Sequence, residues 1–506
     1  MSKDYDVIVI GAGNGGLVSA ATTAKSGLKT LVLEQHNLPG GSASSFVRGR
    51  FEFDPSLHEI AGIGSKEKPG NIRKMLDSLG VDVDWVEIPD AYRYITTEGK
   101  PFDITMPTGI EAFIEKMEQY VPGSRPKMEQ YIELCREGYE AVRYISSKNA
   151  DPEVLRRDYP NFLKLSTLSA NEGFKAMEMP EDCKRNLETY WSYLGVNLDH
   201  MSFIQYNLMI LLYVEDGAHI PKRRSHELAA GLEKSILDNG GEIWYNTMAE
   251  KMIVKDGRVV GVTTPRGDVY AKQVISSCSP HIVYNKMMDK KDVPDYEIRL
   301  TNAHHYDIMG CIIYVGLNRS NKELGLNDYA YFIGPTTDSV QLFKDMSSVD
   351  TNNFQICLCL NAANPGCSPE GTSMLAITCL FTENSWDSVT PETYVPFKNK
   401  FAKKVLENLE KVTGANILEH IEEIEIATPV TFARYLRTPK GTIFGYLSDT
   451  WDGLIPRALT LKEDTTRIPG LRFTGGHGFQ GIGYNSSMLT GRTIANMAIN
   501  DIKGGK

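Results

Sequence analysis

A short β-branched run, Val7-Ile8-Val9-Ile10, leads straight into Gly11-Ala12-Gly13-Asn14-Gly15-Gly16, and no other stretch constrains the fold so tightly. A helix-like stretch follows, then a second apolar strand, Thr30-Leu31-Val32-Leu33, which ends on Glu34. Strand, glycine turn, helix, strand and acid in this order make a dinucleotide-binding βαβ unit. Gly11 allows the tight turn, Gly13 lets backbone approach a pyrophosphate, and Gly16 lets helix and strand pack closely. With Asn14 these form the first set of cofactor-binding residues. The helix N-terminus offers unpaired N–H groups and a partial positive charge to the phosphates. Glu34 ends the second strand, where its carboxylate can accept hydrogen bonds from both ribose hydroxyls. The sequence predicts that the chain binds an adenine dinucleotide.

At 506 residues the chain exceeds one compact core, which suggests two intimately joined domains. Its net charge of −10 argues against nucleic acid as a partner, because no basic surplus exists to displace counterions. The start, Met1-Ser2-Lys3-Asp4, goes directly into the first strand, so no signal peptide is expected. The eight cysteines are scattered without metal-ligand or disulfide spacing, which points to no metal and a reduced, cytoplasmic setting. The apolar run from Phe203 to Val214 is interrupted by Gln205 and Asn207 and is shorter than the roughly 20 residues that span a bilayer.

After Glu34 come Leu38-Pro39-Gly40-Gly41-Ser42-Ala43 and Gly49-Arg50-Phe51-Glu52-Phe53-Asp54, then Pro55-Ser56-Leu57-His58-Glu59-Ile60. The first resembles the second glycine pair of FAD-dependent proteins, and the last resembles the "FD-x-G-x-H-x-I-G" stretch of prolycopene isomerases and retinol saturases. The chain is thus similar to the phytoene desaturase, prolycopene isomerase and retinol saturase family. It departs from that family at Ser56, where a glycine is usual, and at Ser42, where many relatives place an arginine near the FAD phosphates. The resemblance implies an α/β fold: a Rossmann-like FAD-binding domain of the GR2 type, akin to amine oxidases and phytoene desaturases, with an inserted α+β substrate domain.

Along the chain the expected division is 1–107 for the first FAD-binding part, including the strand-like Tyr92-Arg93-Tyr94-Ile95. A helical, substrate- or membrane-facing part at 108–218 follows. Residues 219–290 return to the FAD domain with a helix at Ser225–Asn239, then Glu242-Ile243-Trp244-Tyr245-Asn246, a hairpin turning on Lys255-Asp256-Gly257, and the strand Gln273-Val274-Ile275. In relatives a residue before that hairpin touches adenine through its backbone, and Ala249 holds that place. Residues 291–427 form the second part of the substrate domain, with strands at Ile308–Val315 and Gln355–Leu360 and a helix at Pro396–Thr413. Residues 428–506 supply the last FAD segment, in which Gly475, Gly481 and Ile482 precede a helix expected at Asn485–Asn500. That helix N-terminus, by resemblance, points at the flavin.

Three groups are candidates for chemistry. His58 and Glu59 follow the second glycine pair, and in the isomerase and saturase branch this histidine lies near the flavin, so His58 could move a proton at an alkene carbon. The alternative is a structural histidine bonded to a backbone carbonyl. Tyr484 could form part of the substrate wall or simply pack in the core. Lys222-Arg223-Arg224 replaces the family's glycines, and Arg223 could bind a substrate carboxylate if the triplet is not a solvated face.

These readings converge on an FAD-dependent oxidoreductase or isomerase acting on carbon–carbon double bonds of an apolar polyene or isoprenoid, with NAD(P)H as candidate electron donor. A carboxylate end on the substrate and peripheral membrane contact are further expectations. The enzyme alternatives are a fatty-acid double-bond isomerase or reductase and an amine-oxidase-like oxidase. The non-enzyme alternative is an escort-type prenyl-binding protein, against which the intact glycine turn and Glu34 argue. Substrate, direction of reaction and oligomeric state are not readable from the sequence.

Overall fold

The computed structural model describes residues 3–145, 150–306, 308–382, 384–449, 451–457, 468–478 and 481–504. Val7, Ile8 and Val9 have no exposed surface, because the strand Lys3–Ile10 lies inside a sheet covered on both faces. Continuous β-branched sequence is what such a strand requires. Five segments run parallel: Glu242–Trp244, Thr30–Leu33, Lys3–Ile10, the C-terminal half of Gly267–Ser276, and Leu471–Phe473. Leu33, Ile10, Ser276 and Phe473 stand level across the sheet. Their carboxyl ends therefore form one rim, the place where open α/β sheets take ligands. The hairpin Lys251–Lys255 and Arg258–Thr264 extends this sheet antiparallel, turning on Asp256 at φ 50° and Gly257 at φ 73°. Two positive φ values in succession belong to the two-residue turn that matches strand twist.

The helices Asn14–Lys25, Ser225–Asp238 and Tyr484–Lys503 pack beside this sheet. The last helix approaches the first so closely that a Cβ on Gly491 would stand 2.4 Å from the Gly15 carbonyl oxygen. The Ser19 hydroxyl donates to the Gly491 carbonyl at 2.9 Å across the same contact.

A second sheet runs Ile421–Ala427, Met309–Leu317, Ser373–Phe381, Gln355–Cys359, Ala330–Gly334, Asp90–Thr96 and Asp103–Pro107. The last two strands, expected with the dinucleotide domain, pair here instead. Asp90–Thr96 lies parallel to Ala330–Gly334, with Tyr94 beside Phe332. The alternation of Met309–Leu317 explains why all nine of its residues are buried. Cys311, Ile313 and Val315 face the helix Tyr394–Thr413 through Phe401, Val405 and Leu409. Ile312 faces the other way, into the cavity described below.

Helices Ile110–Tyr120, Arg125–Ile145 and Phe203–Glu215, with shorter ones between, close the space between the two sheets. Phe203, Leu208, Ile210 and Leu211 are buried, so the apolar run is a central core helix rather than an exposed lipid-seeking one. Of its polar interruptions, Asn207 accepts the Tyr131 hydroxyl on Oδ1 at 2.7 Å, while its Nδ2 is buried without a partner. Among the described residues no helix is long and apolar enough to cross a membrane.

Candidate active site

A single cavity of about 1390 Å³ opens at the rim of the first sheet and continues to the second. This exceeds the roughly 300–1,000 Å³ of an ordinary small-molecule pocket. At one end it is lined by Gly11, Gly13, Asn14, Glu34, Gly41, Ser42 and Ala249. Gly11 sits at φ 91°, a left-handed conformation that lets the strand break sharply into the helix. Gly16 does not line the cavity but packs beneath it: a Cβ there would stand 2.0 Å from the Gly11 carbonyl oxygen. The two glycine loops lock together, with Gly40 N–H donating to the Ala12 carbonyl at 2.7 Å.

Glu34 is buried, and each carboxylate oxygen already accepts one backbone bond, Oε2 from Ala12 N–H at 2.7 Å and Oε1 from His36 N–H at 2.8 Å. A carboxylate has about four acceptor sites, so each oxygen retains one for a hydroxyl. Asn14 Oδ1 is buried without a hydrogen-bond partner at the helix N-terminus. The pattern fits a phosphate-and-ribose ligand: open helix N–H groups, an anchored acid and backbone free of side chains.

From the other side come Gly475, Gly476, His477, Ile482 and Gly483, then the N-terminus of the helix Tyr484–Lys503. Gly481 stays outside the lining. His477 lies between Tyr306 and Tyr446, and both its ring nitrogens are buried without partners. Burial, with His281, Arg457 and His304 nearby, pushes its pKa down to about 3, so it is a neutral imidazole. Tyr484 lines the cavity, yet its hydroxyl is committed: it donates to the Ser42 carbonyl at 3.1 Å and lies 3.2 Å from Ser225 Oγ. Burial also raises its pKa. Tyr484 thus braces the second glycine loop, its hydroxyl proton engaged by the Ser42 carbonyl.

At the middle of the cavity stand His58 and Glu59. His58 Nε2 lies 3.1 Å from Thr378 Oγ1 on the second sheet, a side-chain partner in place of the expected alternative of a backbone carbonyl. Desolvation lowers its pKa to about 4. Glu59 is buried, and Oε1 accepts the Tyr193 hydroxyl at 2.6 Å while Oε2 has no partner. Burial raises the Glu59 pKa to about 7, against a smaller lowering by the Tyr193 bond. A carboxyl group protonated near neutrality beside an apolar chamber is a proton donor in waiting. The chamber beyond is walled by Leu208, Met209, Leu212 and Tyr213 from the central helix, and by Ile356 and Leu380 from the second sheet.

Arg223 is not part of this site. Its side chain is 70% exposed and pairs with the also exposed Asp84 at 3.3 Å, because the loop after Ala218–Pro221 turns it outward. Arg224 turns inward, buried, and spends its guanidinium on the carbonyls of Glu52 and Cys367. None of Lys222, Arg223 and Arg224 lines the cavity. Sequence reasoning missed Tyr193, Tyr213 and Thr378, which come from separate elements and carry no local motif. Among the described residues no group of three metal-ligating side chains converges.

Residues 9–79 match the model of the NAD(P)-binding Rossmann-like domain. The chain is 26% identical over 479 residues to the all-trans-retinol 13,14-reductase of Danio rerio, spanning 88% of this chain and 78% of that protein. It is 24% identical over 512 residues to the chloroplastic prolycopene isomerase of Daucus carota, spanning 99% and 81%. A solved oxidoreductase from Methanosarcina mazei shares the fold with a TM-score of 0.67 at 17% identity, over 97% of this chain and 100% of that one. The family resemblance read from the glycine pairs and the Phe53–Ile60 stretch is borne out by these relatives along almost the whole chain.

Proposed function

We propose that this relative of the retinol 13,14-reductases and prolycopene isomerases binds FAD and acts on a carbon–carbon double bond of an apolar polyene or isoprenoid. The observation that carries the reading is the continuity of one cavity, from the glycine and Glu34 cradle, past Glu59, into an apolar chamber. A bound flavin supplies hydride transfer to or from the substrate carbon. The protein's own residues do the rest. Glu34 holds a ribose, the Asn14–Lys25 helix N-terminus meets the phosphates, and the N-terminus of Tyr484–Lys503 offers N–H groups where negative charge develops. Leu208, Met209 and Leu212 exclude water and align an extended apolar chain.

Glu59 holds the proton. Its Oε2 is the unbonded oxygen, and Tyr193 fixes the carboxyl through Oε1. A protonated Glu59 delivers the proton to one alkene carbon in saturation. Its ionised form removes one in desaturation, and both in turn serve an isomerisation that leaves the redox state unchanged. His58, neutral, orients the chamber from Thr378. NAD(P)H is the proposed electron donor for a net reduction.

The test is to purify the protein, identify the released flavin, and incubate the enzyme anaerobically with carotenoids, retinoids and unsaturated fatty acids, with and without NAD(P)H. Polyene products with changed saturation or geometry are expected. A colourless protein, or turnover of amines alone, would overturn the reading.

A further inference from the structure

We propose that Arg437, with Lys286 on a separate wall, supplies the positive charge that holds the diphosphate of the bound dinucleotide. The inference rests on reading the cavity as an FAD site and assigns residues that no motif marks. The second glycine loop, Gly40-Gly41-Ser42-Ala43, contains no lysine or arginine, so it brings no cation to the phosphates.

The dinucleotide end of the cavity is lined by two acids, Glu34 and Glu250, and two bases, Lys286 and Arg437. Their charges cancel before any ligand arrives, and a diphosphate adds further negative charge. Removing either base would set a net negative site against an anion, which the partial charge of one helix N-terminus offsets poorly. Among the described residues neither base has a hydrogen-bond or ion-pair partner, whereas the guanidiniums of Arg48, Arg50, Arg93 and Arg125 all reach carboxylates.

The path of the chain puts Arg437 across the cavity. Tyr435 stacks on His36 with ring centroids 5.7 Å apart, and its carbonyl lies 3.2 Å from His36 Nε2. His36 is two residues past Glu34. At the far end of the same segment, Gly445 packs on the last glycine loop so closely that a Cβ would stand 1.9 Å from the Gly476 carbonyl oxygen. The segment thus runs from the ribose acid to the loop facing the first helix, and Leu436, Arg437 and Thr438 line the cavity on the way. Arg437 ends the helix Pro429–Leu436 at φ 57°, a left-handed conformation that a non-glycine residue seldom adopts. Such conformations gather at ligand-binding positions, where the surrounding structure enforces them.

The test measures FAD and riboflavin affinities of protein stripped of flavin, at low and high salt, for wild type, Arg437→Asn, Arg437→Lys and Lys286→Gln. Asparagine tolerates left-handed backbone, so Arg437→Asn removes charge while keeping the turn. Arg437→Asn should weaken FAD by about tenfold or more, as expected for a lost charge-assisted bond. Riboflavin, which has no phosphate, should bind this variant as it binds wild type. Arg437→Lys should recover most of the FAD affinity, Lys286→Gln should weaken FAD less than Arg437→Asn does, and high salt should narrow every difference. Unchanged FAD affinity in Arg437→Asn, or equal weakening of FAD and riboflavin, overturns the assignment. A wild type that binds neither flavin instead overturns the cofactor reading.

Discussion

Glu59 and His58 are neighbours in sequence with opposite responses to pH. Glu59 titrates near 7 instead of about 4.5, because burial disfavours its anion. The unfolded chain loses this proton first, so the contribution of Glu59 to stability is full below about 4.5 and declines as pH rises toward about 7. His58 titrates near 4 instead of 6.5, so its contribution is full above 6.5 and declines as pH falls toward about 4. For saturation the active form is protonated Glu59, and activity should fall as pH rises through about 7. Glu59→Gln should lower kcat by about 10²–10⁴-fold and abolish that limb of the pH profile, while the flavin absorbance stays. An unchanged profile would remove Glu59 from the chemistry. The sequence pointed to His58 and Glu59 through a resemblance in the stretch around them. It could not show Tyr193 or Thr378, because hydrogen bonds between elements over a hundred residues apart leave no spacing to read. Arg223 misled for the opposite reason: a local departure from a motif says nothing of which way a loop turns its side chains.

At the level of elements, what was legible was whatever chemistry forces locally. The glycine turn, the Asp256-Gly257 hairpin, the helix beginning at Ser225 and the helix ending at Thr413 all stand where periodicity and turn residues placed them. Which sheet a strand joins was not legible, and Asp90–Thr96 shows why. Its alternation suits either sheet, and only the distant Ala330–Gly334 decides. Two glycines make the contrast between turn chemistry and packing measurable. Gly16→Ala drives a Cβ to 2.0 Å from a backbone oxygen that cannot move aside, and should cost about 1–3 kcal/mol. Gly138 lies mid-helix in Arg125–Ile145, and a Cβ there meets only Ile204 side-chain atoms, at 3.5 Å and 3.7 Å. Gly138→Ala should therefore stabilise by about 0.4–1 kcal/mol by restricting the unfolded chain. Thermal unfolding of the two variants should shift Tm in opposite directions, and a shared sign would contradict the packing argument.

As a whole molecule, the protein builds its dinucleotide sheet from three distant stretches of chain. Lys3–Ile10 pairs with Gly267–Ser276, which in turn pairs with Leu471–Phe473. A fragment ending at residue 107 would hold the whole glycine fingerprint and Glu34, yet leave one side of Lys3–Ile10 unpaired. It should neither fold cooperatively nor retain flavin, and a yellow, protease-resistant fragment would contradict this dependence. The same arrangement sets a clock on biosynthesis. A ribosome moving at roughly 5–20 residues per second needs from tens of seconds to over a minute between releasing Leu33 and releasing Leu471. Until Gly267–Ser276 emerges the nascent N-terminal strand carries an open, β-branched edge, and from then until Leu471–Phe473 is released the open edge is that of Gly267–Ser276. The chain is most exposed to aggregation before its cofactor site can close, so yield in a cell should depend on chaperone supply during synthesis rather than on the stability of the finished fold.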